Sequence, residues 1–244
     1  MHYTYSKTCT LTYSQMDPNL KLNLKSASEI AQDLITETFR TFRSDNLTVS
    51  RLNNAVWVIA KTQMKFFSMP SWETNVHCRS YMTSSRAVRA EMESVFTDDS
   101  DNLLFIIKQY LCPIDITTRA VRPVATINYP EDMECEPNRL EDRYRRLTYE
   151  FDETQLVTER KAYSSDIDFG RHFNNCRSIC MIYDSNPVSF WDGHAIKDFE
   201  IHYLHEIHEG ETVKCYKVCR EDGSMEFLLK ANDAECVRAY MTTY

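Results

Sequence analysis

The sequence predicts an α+β protein, because the same order of elements occurs twice and helices are separated from runs of antiparallel strands. Each half begins with a strand, continues through a loop and a helix, and ends in four strands. Hydrophobic residues make up 43% and charged residues 26% of the 244 residues. These ordinary globular proportions argue against disorder. A helix followed by a meander favours one helix packed on a curved sheet in each half.

The first half supplies five strand segments and one helix. Alternating polar and apolar residues predict a strand at 3–13. The segment Ser26-Ala-Ser-Glu29 has the spacing of a capping box, and apolar residues at helical intervals follow it, which predicts a helix with one buried face. Four more strands are predicted at 55–67, 74–81, 87–96 and 103–112.

The second half repeats this order at an offset of 151 residues, which aligns Asp17 with Asp168 and Asn23 with Asn174. Because few aligned residues are identical, the order of elements supports the repeat more than identity does. The predicted elements are a strand at 156–163, a helix at 174–183, and strands at 196–204, 211–218, 225–231 and 235–240. Asp222-Gly223 predicts a tight hairpin turn between two of them.

We therefore expect an N-terminal domain at 1–127, a charged linker at 128–152 and a C-terminal domain at 153–244. Within the linker, Arg139, Arg143 and Arg146 recur at helical spacing, so the linker is compatible with a helix.

Charge and cysteine content narrow the functional classes. The formal net charge is −8, which disfavours general attraction to nucleic acid. No apolar run approaches the roughly 18 residues of a membrane span. The nine cysteines are odd in number and none has CxxC spacing, which favours reduced thiols and a cytoplasmic location. We expect neither a metal nor a cofactor.

The densest polar motif is Asp166-Ile-Asp168-Phe-Gly170-Arg-His172-Phe-Asn174-Asn175, in a loop that enters a helix. Backbone N–H groups at a helix start favour negative charge, so an acid and an imidazole beside them are able to position water and hold an oxyanion. The same residues also fit a simple helix-capping turn, and spacing alone leaves both interpretations open. Glu206 is equally ambiguous, since the alternation around it also fits a residue that faces water.

The motif resembles the Asp-x-Asn-x-His-x-Asn-Asn signature of the acyl-acyl carrier protein (ACP) thioesterases of plastids and bacteria, which are double-hotdog enzymes. The matching residues are Asp168, His172, Asn174 and Asn175. Other segments resemble the family in the same order along the chain: Asn54-Ala-Val-Trp57-Val-Ile, Met69-Pro70-Ser-Trp72, Asp115-Ile-Thr-Thr118-Arg119-Ala-Val-Arg122-Pro123 and Ile201-His-Tyr203-Leu-His-Glu206.

The resemblance implies two tandem hotdog domains that hydrolyse fatty acyl-ACP, the first shaping the acyl pocket and the second holding the catalytic residues. Glu206 would be the general base or the carboxylate that orients water, and Asp168 and His172 would arrange the site. The expected substrate contacts are Trp57, Arg171, Asn174 and Asn175. Lys21 stands in the first copy where His172 stands in the second, which fits one working site per chain.

One departure from the family is Gly170, which replaces a catalytic Asn. Loss of such a donor can cost about 100- to 1,000-fold in rate, unless the Gly170 N–H, the helix N-terminus or Asn174 substitutes. If the missing amide is a defect, Gly170→Asn should raise turnover. One alternative is an acyl-CoA thioesterase, because the reacting thioester and the phosphopantetheine arm are the same. The other is a non-catalytic acyl-thioester-binding protein, in which Gly170 marks the loss of activity.

The expected partner is ACP carrying its phosphopantetheine-linked acyl chain. An acidic carrier requires local positive charge on this acidic chain. Two clusters are candidates: Arg171 with Arg177, and the linker arginines 139, 143, 145 and 146. Acyl chain length is left open, as is the choice between monomer and homodimer.

Overall fold

The computed structural model describes residues 2–244, and within them ten strands form one antiparallel sheet. The strands are β1 (Thr4–Thr10), β2 (Ala55–Phe66), β3 (Asn75–Arg86), β4 (Arg89–Thr97), β5 (Leu103–Asp115), β6 (Leu156–Lys161), β7 (Ile196–Tyr203), β8 (Thr212–Cys219), β9 (Met225–Ala231) and β10 (Ala234–Thr243). Their order across the sheet is β1-β3-β4-β5-β2-β7-β10-β9-β8-β6. The α+β prediction is confirmed.

The helices are α1 (Leu24–Thr41), α2 (Asn46–Asn53), α3 (Asn175–Asp184) and α4 (Val188–Trp191). The helix α1 begins before the predicted capping box, because the Asn23 side chain accepts the Ser26 N–H at 2.8 Å and caps the helix there. The sequence analysis missed α2, in which Val49 is buried but no apolar stripe is present. No helix within residues 2–244 has both the length and the apolar character needed to cross a membrane.

Pairing between β2 and β7 joins the two halves into a continuous sheet. Met64 lies opposite Phe199 and Thr62 opposite Ile201 in this ladder. Met64, Phe199 and Ile201 are fully buried in the same core cluster as apolar residues of α1 and α3. Since side chains alternate across a strand, the intervening Gln63 and Glu200 point to the opposite face. The helices therefore share one face of the sheet.

The repeat at an offset of 151 residues extends to the backbone conformation. Isolated bridges pair Met16 with Leu22 in the first half and Ile167 with Phe173 in the second. A non-glycine residue with positive φ occupies the same place in each loop, Leu20 at 56° and Arg171 at 65°. Asn19 is the first-half counterpart of Gly170, and the N–H of each donates at 2.8 Å to the aspartate two residues earlier.

The charged linker contains no helix between residues 130 and 150, so helical spacing of its arginines was misleading. Buried side chains on the outer face of the sheet bind its backbone instead. The Glu93 carboxylate, fully buried, accepts the N–H groups of Arg139 and Leu140 at 2.8 and 2.9 Å. The Lys108 ammonium donates to the Leu140 carbonyl at 3.0 Å. These contacts replace the backbone bonds that a helix would make.

Candidate active site

A cavity of about 610 Å³ lies where α1, α2 and β2 of the first half meet two loops of the second half. All eight residues that the sequence analysis selected line it: Trp57 on β2; Asp168, Gly170, Arg171 and His172 in the loop before α3; Asn174 and Asn175 at the start of α3; and Glu206 in the loop after β7. The volume is typical of small-molecule pockets, which span roughly 300–1,000 Å³.

A tight turn brings the acid and the imidazole of the motif together. The Asp168 N–H donates to the His172 carbonyl and the Arg171 N–H to the Asp168 carbonyl, both at 3.0 Å. This closure places His172 Nδ1 3.6 Å from Asp168 Oδ2. Both side chains are half-buried, so the carboxylate orients the imidazole at the cavity wall.

Gly170 allows the imidazole to pack against the turn. A Cβ at this position would lie 2.5 Å from His172 Nε2 and 3.1 Å from Asp168 Oδ1. Close approach, rather than a positive φ, therefore explains the glycine, since the left-handed residue of this turn is Arg171. The Gly170 N–H donates to Asp168 Oδ1 at 2.8 Å, so in this arrangement it does not face substrate.

The start of α3 provides the polar end of the cavity. The Asn174 side chain caps the helix by accepting the Cys176 N–H at 2.8 Å, and Asn175 is the first helical residue. The positive end of the helix dipole at this wall favours an anion. Burial raises the pKa of the neighbouring Cys176 thiol to about 11, so it stays protonated and is a poor nucleophile.

Glu206 lies in the loop after β7, which ends at Tyr203, one residue earlier than predicted. The Phe173 N–H donates to the Ile207 carbonyl at 2.7 Å and fastens this loop to the Asp168–His172 turn. The Glu206 carboxylate pairs with the guanidinium of Arg119, which follows β5 in the first half. Sequence reasoning noted Arg119 as part of a motif but assigned it no role, because no spacing rule links residues so far apart.

Comparison with family models gives two consecutive matches. Residues 2–128 match the N-terminal domain of acyl-ACP thioesterases and residues 149–243 match the C-terminal domain. The chain belongs to the acyl-ACP thioesterase family. It is accordingly a thioester hydrolase of fatty acyl-ACP, and the resemblance inferred from the sequence is confirmed.

Solved structures support the same fold for this acyl-ACP thioesterase. An acyl-ACP thioesterase from Bacteroides thetaiotaomicron superposes with a TM-score of 0.88 at 15% identity, covering 99% of this chain and 98% of that one. The 12:0-ACP thioesterase from Umbellularia californica gives 0.82 at 13%, covering 99% and 97%. The double-hotdog prediction is confirmed. Comparison with curated protein sequences gives no significant match.

A putative oleoyl thioesterase from Lactobacillus plantarum also superposes over nearly the full length, with a TM-score of 0.86 at 19% identity, covering 99% of this chain and 96% of that one. At these identities the superpositions establish the fold alone. Roles of individual residues in this acyl-ACP thioesterase must therefore come from its own geometry.

Trp57 forms an apolar wall of the acyl-ACP thioesterase cavity. Its side chain is 5% exposed, stacks on Phe39 with ring centroids 4.8 Å apart, and donates its indole N–H to the Ser44 carbonyl at 3.0 Å. Because the indole N–H is bound within the first half, Trp57 offers the cavity a fixed aromatic surface rather than a polar contact.

The two candidate docking clusters differ in their distance from this cavity. Arg171 lines it, whereas Arg177 donates to the Ser165 carbonyl at 3.3 Å and lies 3.7 Å from the Asp166 carboxylate. None of the linker arginines lines the cavity, and the Arg145 guanidinium lies over the Tyr240 ring on the outer sheet face. Arg171 and Arg119 are the arginines that line the cavity, and Arg119 is paired there with Glu206.

Proposed function

We propose that this acyl-ACP thioesterase releases free fatty acid by water attack at a single site formed by Asp168, His172 and Glu206. The observation that carries the proposal is one cavity with two kinds of wall. Apolar residues of the first half, such as Ile35 and Leu111, line one side, and the polar residues of the second half line the other. An acyl chain and its thioester require this combination.

The proposed step needs no cofactor. Glu206 accepts a proton from water as the water oxygen adds to the thioester carbonyl carbon. The N-terminal end of α3 stabilises the resulting oxyanion, and the imidazole of His172, oriented by Asp168, contributes a polar group beside it. When the C–S bond breaks, the pantetheine sulfur takes up the proton. The products are a fatty acid and ACP with a free thiol.

The decisive experiment is fatty-acid release from a panel of acyl-ACPs of different chain length, measured by mass because nine cysteines interfere with thiol dyes. Asp168→Ala, His172→Ala and Glu206→Ala should each lower kcat by about 100-fold or more. The repeat offers matched controls in Asp17→Ala and Lys21→Ala, which alter the corresponding first-half turn but no residue of the cavity. Equal losses in both sets of variants would contradict the assigned roles.

The same assay decides which carrier the enzyme prefers. We expect a higher kcat/KM for acyl-ACP than for the same acyl group on CoA, because an acidic carrier protein gains from Arg171 at the cavity. Binding of acyl-ACP without release by the folded wild-type protein would instead indicate a non-catalytic acyl-binding protein.

A further inference from the structure

The Arg119–Glu206 ion pair connects the two halves of the molecule at the cavity. Arg119 belongs to the loop after β5 and Glu206 to the loop after β7, and both line the cavity. The side chains are 42% and 36% exposed. A surface pair of this kind adds little to stability. Because Glu206 is the proposed general base, the ion pair suggests a role in the reaction instead.

The loop that carries Arg119 is firmly built. The Asp115 side chain accepts the N–H groups of Thr117 and Thr118 at 2.9 and 2.8 Å. The Arg119 N–H donates to the Asp115 carbonyl at 3.0 Å, and Arg119 itself has a φ of 59°. A non-glycine residue in this conformation is held there by its surroundings. The guanidinium therefore approaches Glu206 from a loop of fixed conformation.

The other charged groups near Glu206 do not replace this contact. Asp168 and His172 pair with each other, and the His205 ring donates from Nδ1 to the Glu235 carbonyl at 2.8 Å. Arg171 lines the cavity, yet the ion pair that reaches Glu206 is made by Arg119. A first-half cation thus adjoins a second-half carboxylate.

We infer that Arg119 is a positioning residue that holds the Glu206 carboxylate ionised and oriented at the cavity wall, so that the second-half site depends on a first-half loop. The inference rests on the proposed role of Glu206. A guanidinium stabilises an adjacent carboxylate in its charged form, and its planar N–H groups restrict the orientation of the carboxylate oxygens. The first effect keeps the carboxylate in the unprotonated form that a general base requires, and the second fixes the direction in which it accepts a proton.

The test compares Arg119→Met, Arg119→Lys and Arg122→Met with the wild-type chain on acyl-ACP. Arg119→Met should lower kcat by about tenfold or more with little change in KM, and move the acidic limb of the kcat–pH profile to higher pH. Arg119→Lys should show the wild-type pH profile and part of the wild-type kcat, because lysine carries the positive charge but lacks the planar guanidinium group. Arg122, which donates to the Asn53 carbonyl at 2.5 Å, belongs to the same loop but not to the cavity.

Arg122→Met therefore reports the cost of disturbing the loop alone, and it should leave the pH profile in place. Equal effects of Arg119→Met and Arg122→Met on Tm and kcat would overturn the inference in favour of a structural role. A raised KM with an unchanged kcat and pH profile would overturn it in favour of an Arg119 contact with the phosphate of the carrier arm.

A measurement without turnover separates this inference from the proposed function. The Glu206 carboxyl signal, followed by 13C NMR and assigned with Glu206→Gln, should titrate at higher pH in Arg119→Met than in the wild-type chain. Coincident titrations would refute the inference even in an active enzyme. If no acyl-ACP is hydrolysed, the proposed function fails, and the titration still decides whether Arg119 controls the ionisation of Glu206.

Discussion

At the scale of single residues, the two halves use one turn conformation with different side chains. Leu20 and Arg171 occupy corresponding left-handed positions, with φ of 56° and 65°. This conformation costs an ordinary L-residue about 1–2 kcal/mol, a cost that glycine avoids. Both residues therefore adopt a conformation that glycine would adopt at lower cost, and of the two only Arg171 lines the cavity.

Arg171→Gly and Leu20→Gly form a matched pair that tests this interpretation. Each should raise the free energy of unfolding by about 0.5–1 kcal/mol, because relief of the left-handed conformation exceeds the added entropy of the unfolded chain. Urea unfolding measures this gain. Arg171→Gly should also raise KM for acyl-ACP, whereas Leu20→Gly should not. Unchanged KM in both variants would remove Arg171 from the binding site.

A second residue-scale prediction concerns Gly170. Gly170→Ala should lower kcat by about 10- to 100-fold, because the new Cβ meets His172 Nε2 and displaces the imidazole from Asp168. Gly170→Asn introduces the same Cβ together with the amide found in the family. Its kcat should therefore exceed that of Gly170→Ala if an amide donor assists the reaction. Equal activities would show that this chain works without that donor.

At the scale of elements, the linker is held by charged side chains that the sheet buries. Glu93 accepts three hydrogen bonds, from the Arg139 and Leu140 N–H groups and from the Tyr81 hydroxyl at 3.0 Å. Burial, reinforced by Glu93, raises the pKa of Tyr81, so the phenol remains a donor at neutral pH. Burial lowers the pKa of Lys108. These groups make the extended linker part of the folded structure rather than a loose tether.

Glu93→Gln should therefore lower the free energy of unfolding by about 1–3 kcal/mol, because an amide presents only one acceptor oxygen to three donors and its NH₂ group faces a backbone N–H. Urea denaturation provides the measurement. Glu141→Gln removes a charge from an exposed position of the same linker and should change the free energy of unfolding by less than about 0.5 kcal/mol. Similar losses in the two variants would contradict the proposed anchoring by Glu93.

The elements that the sequence predicted well are those with strong periodicity. Alternating strands and the apolar face of α1 were visible because each buries one side against the core. The linker was misjudged because its backbone partners, Glu93 and Lys108, lie far away in the sequence. Glu206 and Asp168 were located by resemblance to a family motif, whereas the contact of Arg119 with Glu206 depends on how the halves pack. That packing is not encoded in any local pattern.

At the scale of the whole molecule, pairing between β2 and β7 makes the halves one cooperative unit. The ladder runs from Lys61 opposite His202 to Lys65 opposite Asp198, and the core cluster of Met64 and Phe199 continues across it. The continuous sheet and the core cluster that spans both halves lead us to expect one unfolding transition rather than two.

Leu229→Ala tests this cooperativity from a distance. Leu229 is fully buried in β9 of the second half, and its truncation should cost about 2–5 kcal/mol. In a Trp72→Phe/Trp191→Phe background, the fluorescence comes from Trp57 of the first half. The urea midpoint followed by this fluorescence should fall, because Leu229→Ala lowers the stability of the whole molecule. Val157→Ala, at an exposed second-half position, should leave the midpoint nearly unchanged. A Trp57 midpoint insensitive to Leu229→Ala would mean that the halves unfold independently.

Fusion of the two halves in one polypeptide also removes a symmetry constraint. In a dimer of identical chains every substitution appears twice, at both equivalent positions. Here corresponding positions differ, with 18 residues in α1 against 10 in α3, and Lys21 against His172. One copy is thus free to enlarge its apolar chamber while the other keeps the reactive groups. The expected stoichiometry is one acyl group bound per polypeptide, half the number that a symmetric pair would offer.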